Sequence, residues 1–196
     1  MESNVLTIPN VLTVLRMALI PVFAILLYYG YSVWALIIFL TAGASDAFDG
    51  FIARKFQQQS NLGTVIDPIA DKLLMITSFV VLSLPHIFPP SPHLPVPFWV
   101  TASVIGRDVL IISVATAIVV MTGFRDFKPS PLGKLSTVAQ VLAVVLILVA
   151  VIFPKFGGVY LPTVYTTVVV LAFLSGVHYI FFVAKLMREA EKEETV

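Results

Sequence analysis

Leu135-Ser-Thr-Val-Ala-Gln-Val-Leu-Ala-Val-Val-Leu-Ile-Leu-Val-Ala-Val-Ile-Phe153 carries no charge and a single amide. With the residues just before it, it forms a candidate span at 133–153. A helix needs about 20 mostly apolar residues to cross the hydrocarbon of a bilayer. Four comparable runs precede it, at roughly 9–29, 32–55, 62–85 and 97–122, and one follows at 160–184. Between them lie Gly/Pro-bearing or charged breaks: Tyr29-Gly-Tyr-Ser32, Arg54 to Asn61, the proline cluster from Pro85 to Pro97, Gly123 to Pro131, and Pro154 to Gly158. The reading is an all-α, polytopic membrane protein with six transmembrane helices in one bundle. Residues 1–196 form a single integral-membrane domain.

Composition points the same way. Of 196 residues, 59% are apolar and 12% charged, and the mean hydropathy is +1.00. An average soluble domain has roughly 45–50% apolar and about 25% charged residues. A soluble globule this small could not hide so much apolar surface. The net charge of +1 provides no global basic field for a nucleic-acid partner. With no cysteine, disulfides, zinc–thiolate sites, iron–sulfur clusters and thiol nucleophiles are all excluded. The first thirty residues do not read as a cleavable signal, because the start lacks Lys and Arg and the apolar stretch runs too long.

Basic residues orient the spans. Arg54, Lys55, Arg125, Lys128, Lys134, Lys185, Arg188 and Lys192 fall on one side, and Lys155 alone on the other. Six spans then place both termini in the cytoplasm, with the mixed-charge tail 185–194 as a solvated helix end.

Asp46, Asp49, Asp67, Asp71 and Asp108 lie in or near spans, as do Arg16, Lys72 and Arg107. Each Asp at a span centre costs ~2.5–3.5 kcal/mol on insertion scales. Four uncompensated acids would cost on the order of 10 kcal/mol, as much as a domain's whole stability. Their spacing offers a reason. Positions 46, 49, 50 and 53 share a helical face, as do 63, 67 and 71, and the short loop between the two runs makes an antiparallel pair. Four converging carboxylates repel unless protons or cations lie between them. All-oxygen ligation suits Mg²⁺ or Mn²⁺, which recruit substrate phosphates. Gly50, Ala53 and Gly63 leave room for a ligand. Such an acidic cup at a membrane surface suggests phosphate chemistry on a lipid. A shared-proton or helix-packing cluster is the plainer reading.

The string Asp46-x2-Asp49-Gly50-x2-Ala53-Arg54-x8-Gly63-x3-Asp67-x3-Asp71 resembles the full signature of the CDP-alcohol phosphotransferase family, with eight constrained positions in 26 residues. Ile8-Pro-Asn-Val-Leu-Thr-Val-Leu-Arg16 resembles the branch that makes phosphatidylglycerophosphate or cardiolipin. The resemblance implies a two-metal centre of Mg²⁺ or Mn²⁺ held by Asp46, Asp49 and Asp67, with Asp71 bordering it as general base. It also implies a CDP site lined by Gly50, Ala53, Arg54 and Gly63, which Asn10 and Thr13 approach. The implied substrate is CDP-diacylglycerol, the site faces the cytoplasm at a bacterial-type inner membrane, and the assembly is a homodimer. Without Cys or a Ser–His pair, direct transfer fits: acceptor hydroxyl plus CDP-diacylglycerol gives phosphatidyl-acceptor plus CMP.

Arg107 and Lys134 match basic positions of the phosphatidylglycerophosphate synthase branch, which implies glycerol 3-phosphate as acceptor; both have the chemistry to hold its phosphate. Arg107 has a structural alternative, pairing with Asp108 or a cup carboxylate, and Lys134 has one in positive-inside anchoring. The Arg107-Asp108 dipeptide is common in the cardiolipin synthase branch, where phosphatidylglycerol would be the acceptor. Arg16 is open to substrate phosphate or to an Asp. Lys72 reads as a snorkelling charge, His86 and His93 as surface residues, His178 as a satisfied core histidine, and Trp34 and Trp99 as interfacial. A cation or proton transporter would use the same acids, but predicts symmetry between halves that the sequence lacks. A lipid phosphatase would need a differently placed histidine.

Overall fold

The structure is a computed structural model that describes residues 8–56, 61–85, 87, 88, 93–122 and 130–194, with side chains over 13–45, 69–85, 87, 88, 93–120, 130–155 and 157–184. Six helices follow in chain order: α1 (Ile8–Tyr28), α2 (Ser32–Phe56), α3 (Asn61–Leu82), α4 (Phe98–Thr122), α5 (Pro131–Ile152) and α6 (Pro154–Glu194). No strand occurs among the described residues.

Local chemistry sets the helix ends. α1 stops in a Schellman turn, where Tyr31 N–H donates to the Leu26 carbonyl at 2.8 Å and Gly30 N–H to Leu27 at 3.1 Å. Gly30 takes φ +81°, a left-handed conformation that costs a side-chain-bearing residue. At the start of α5, Ser130 is the N-cap and Pro131 the first helical residue. The Ser130 hydroxyl accepts the Gly133 N–H at 3.0 Å, and Lys134 N–H closes the first turn onto the Ser130 carbonyl at 3.1 Å. α6 differs from expectation. The Pro154-to-Gly158 stretch, read as a break, is helical, and Phe153 alone separates α5 from α6. A proline with fixed φ and no N–H suits a first helical turn, so Pro154 starts the helix. The mixed-charge tail is helical to Glu194, as expected.

The chain divides into two compact units. One holds α1, α2, α3, the segment to Val96 and residues 144–158. Within it, α1 packs on α2 and on α3. Phe23 and Leu27, Ala35, Phe39 and Ala42, and Ala70 and Leu74 are buried at i, i+4 and i+7 spacings. The Phe23 and Phe39 rings meet at 5.9 Å between centroids and 48°. The other unit holds α4, residues 131–143 and α6 from Val159. In α6, Leu161, Tyr165, Val168, Ala172, Ser175, Tyr179 and Val183 form a buried stripe of three- and four-residue steps. Its end packs Tyr179 and Val183 with Ile118, against Ile111, Val114 and Ala115.

Large apolar side chains also point outward, with Phe98, Val120 and Phe181 each more than 70% exposed. Hydroxyls inside the apolar helices turn back onto their own backbone: Thr41 donates to Ile37, Ser78 to Leu74 and Ser103 to Trp99. Both features suit a hydrocarbon solvent, which offers no hydrogen-bond partner. Among the described residues, three stretches are long and apolar enough to cross a membrane: Phe98–Val120, Pro131–Ile152 and Gly157–Ala184. Shorter apolar stretches run over Thr13–Tyr28 and Ser32–Ser45. The six expected segments are therefore present as helices, but three qualify as spans on length and composition. Asp46, Asp49, Asp67 and Asp71 interrupt the apolar runs of α2 and α3.

Candidate active site

The acidic motif falls on helical backbone at both of its halves. Residues 46, 49, 50, 53 and 54 occupy the C-terminal part of α2, and 63, 67 and 71 the first turns of α3. Only residues 57–60 separate the two helices. At 100° per residue, 46, 49, 50 and 53 share one side of α2, and 63, 67 and 71 one side of α3. The side chains of Asn10, Asp46, Asp49, Gly50, Ala53, Arg54, Gly63 and Asp67 lie outside the described residues. Thr13 and Asp71 lie within them: Thr13 is buried on α1, and Asp71 is half-buried on α3.

Asp71 has a partner from another helix. The Arg16 guanidinium on α1 donates Nη1–H to Asp71 Oδ1 at 2.8 Å. Arg16 is completely buried, whereas the Asp71 side chain keeps 47% exposure. Of the two roles open to Arg16, the structure shows the pair with an Asp. An unpaired buried charge costs roughly several kcal/mol, and the pair with Asp71 helps to offset the burial of Arg16.

The expected ligand set is made entirely of carboxylate oxygen, the donor chemistry that Mg²⁺ and Mn²⁺ take. Asp71, the member whose side chain is described, is half-exposed beside its Arg16 contact, which is compatible with the border of such a centre. Among the described residues no three His, Asp or Glu side chains come together; Asp46, Asp49 and Asp67 lie outside that set.

A second cluster forms within the other unit. Arg107 on α4 donates Nη1–H to Asp108 Oδ1 at 2.7 Å. Its Nη2 donates to Ser175 Oγ on α6 at 2.8 Å and to the Gly133 carbonyl on α5 at 3.3 Å. Its Nε reaches Ser175 Oγ at 3.3 Å. Arg107, Asp108 and Ser175 are all buried. The pair with Asp108 is thus present, and the guanidinium also ties together three helices. Gly133 leaves room for this approach: a Cβ there would lie 3.1 Å from Ser130 Oγ and 3.3 Å from Arg107 Nη2, a tight fit in which both side chains would have to shift by a few tenths of an ångström. Lys134, the next residue, is exposed. Beside Arg107 a cleft of about 390 Å³ opens between α4 and α6, lined by Ala102, Gly106, Leu110, Ala172, Phe173 and Gly176 among others.

Ser175 is not singled out by the sequence pattern, although a hydroxyl beside Gly176 in an apolar span is the signal that marks it. His178, read as a satisfied core histidine, is half-buried, and its Nδ1 has no hydrogen-bond partner among the described residues. Trp34 and Trp99 are exposed, and His93 is exposed; His86 lies outside the described residues.

Comparison with known proteins extends these observations. The family described as CDP-alcohol phosphatidyltransferase matches residues 6–182. A cardiolipin synthase (CMP-forming)/mitochondrial hydrolase fusion protein of Schizosaccharomyces pombe is 34% identical over 169 residues, covering 79% of this chain but 27% of that protein. A CDP-diacylglycerol–glycerol-3-phosphate 3-phosphatidyltransferase of Blochmanniella floridana is 34% identical over 151 residues, 74% of this chain and 75% of that one. A probable phosphatidylglycerophosphate synthase of Mycobacterium tuberculosis is 31% identical over 199 residues, covering 96% and 85%. A match of this extent, across helices that carry the complete acidic motif, establishes that the chain belongs to the CDP-alcohol phosphatidyltransferase family of phospholipid-synthesising membrane enzymes.

Proposed function

We propose that this enzyme transfers the phosphatidyl group of CDP-diacylglycerol to glycerol 3-phosphate and releases CMP. The carrying observation is the alignment with a relative of that named activity over about three quarters of both chains, together with the unbroken acidic motif on α2 and α3. In this reading one membrane domain acts, as a homodimer, at the cytoplasmic face of a bacterial-type inner membrane.

Gly50, Ala53, Arg54 and Gly63 accommodate the CDP moiety, with Asn10 and Thr13 towards the cytidine. Asp71 accepts the proton of the acceptor hydroxyl, a poor nucleophile near neutrality without a positioned base. The acceptor oxygen then forms a bond to the phosphorus that bears diacylglycerol, the bond to the CMP oxygen breaks, and CMP leaves with the electron pair. Arg107 and Lys134 hold the acceptor's phosphate. A pair of Mg²⁺ or Mn²⁺ ions bound by Asp46, Asp49 and Asp67 at the border of Asp71 would offset negative charge on the pyrophosphate.

A second reading has phosphatidylglycerol as acceptor. It is supported by the Arg107-Asp108 dipeptide and by the fusion relative named for cardiolipin synthesis. Incubating the purified protein with CDP-diacylglycerol, Mg²⁺ and each acceptor, then identifying the lipid formed, separates the two. Phosphatidylglycerophosphate formation supports the first reading. Cardiolipin as sole product replaces it with the second, and CMP release without a new phospholipid overturns both.

A further inference from the structure

The pair between Arg16 and Asp71 is unequal in its surroundings. Its cation is sealed, at 0% exposure, and its anion is open, at 47%. The two are 55 residues apart and come from different helices, α1 and α3, that pack on one another. A bridge with one end in contact with solvent is screened and contributes little as a clamp between helices. Here the enclosed end is the donor, and the side chain that carries the carboxylate is half-exposed. Arg16 stands one helical turn beyond Thr13, itself buried on α1, so its guanidinium is anchored in a packed wall rather than on a mobile stem.

We propose that Arg16 is a positioning residue for Asp71: its buried guanidinium grips one carboxylate oxygen and so fixes the orientation in which the group takes the proton of the acceptor hydroxyl. This rests on the reading of Asp71 as general base. It assigns no substrate contact to Arg16, which acts through Asp71.

The test is a cycle of variants in the purified full-length protein, assayed in detergent micelles with CDP-diacylglycerol, glycerol 3-phosphate and Mg²⁺. Arg16→Gln is expected to lower kcat by about 100-fold, the scale of a small misplacement of a reacting group, with KM for CDP-diacylglycerol unchanged. Arg16→Lys, which keeps the charge but loses the planar fork, is expected between wild type and Arg16→Gln. In an Asp71→Asn background, Arg16→Gln is expected to cost nothing further, since residues acting as one unit are not additive. An equal fractional loss in both backgrounds, or a loss confined to KM, overturns the positioning role while leaving the base reading intact. Wild-type kcat in Asp71→Asn alone overturns the base reading, and this proposal with it. If Arg16→Gln does not purify as a folded protein, Arg16→Lys decides: a kcat loss that disappears in Asp71→Asn supports the proposal, and an undiminished loss, or none, overturns it.

Discussion

Ser175 shows how much one hydroxyl can matter inside an apolar helix. Its Oγ receives Arg107 Nη2 at 2.8 Å and Nε at 3.3 Å, both in a buried setting. Removing it strands charged N–H donors, and a buried donor left unsatisfied costs about 1–3 kcal/mol. Ser175→Ala is therefore expected to lower the thermal denaturation midpoint in detergent, while Ser103→Ala, whose hydroxyl only turns back to Trp99, leaves it nearly unchanged. Equal midpoints for both variants would remove the energetic role given to the Ser175 contact. Arg107 itself is legible in the sequence as a cation needing a partner. Asp108, its neighbour in the chain, is nameable in advance; Ser175 and the Gly133 carbonyl are not, because they come from other helices.

At the scale of elements, the helix boundaries follow from local chemistry. Ser130-Pro131-Leu132-Gly133 combines an N-cap hydroxyl, a proline at the first position and a glycine whose missing Cβ admits both Ser130 and Arg107. Ser130→Ala is expected to cost about 1 kcal/mol through the lost cap, read as a lower denaturation midpoint. Ser130→Asp, which still accepts the Gly133 N–H, is expected to recover most of it; failure to recover would show that the hydroxyl serves something other than capping. The boundary that differs from expectation, at Pro154, has the same kind of explanation. Proline followed by Lys-Phe-Gly-Gly looks like a loop in a string of letters, yet proline is well placed in a first helical turn. As a result α6 runs for 41 residues, about 60 Å at 1.5 Å per residue. That is twice the hydrocarbon thickness of about 30 Å. Its apolar part, Gly157–Ala184, covers the membrane length, and the charged remainder continues as helix.

For the molecule as a whole, the distribution of Lys and Arg predicts a topology that labelling can read. The absence of cysteine means that any introduced thiol is the sole reporter. In intact cells a membrane-impermeant maleimide is expected to modify His93→Cys and to leave Ser3→Cys and Thr195→Cys untouched until the membrane is opened. The reverse pattern would place the termini outside and invert the site. A second expectation concerns the acids together. Chelation of divalent cations with EDTA should abolish CMP release, and added Mg²⁺ or Mn²⁺ should restore it, because the four carboxylates of the proposed centre would repel one another unless cations or protons lay between them. Full turnover in EDTA would remove the metal-dependent reading.

The positions of six helices, except for the start of the last, and the spacing that puts acids on one side of α2 and one side of α3 are readable from the order of residues alone. Helix formation and hydrophobic periodicity are local, and a membrane span announces itself by length. Which buried cation meets which anion is not readable in this way. Arg16 has two candidate roles on paper, and Asp71 stands 55 residues away from it; Arg107 and Ser175 are 68 apart. Such pairings depend on the rotation of each helix about its own axis, and that rotation is settled by side chains interlocking between helices rather than by any short stretch of chain.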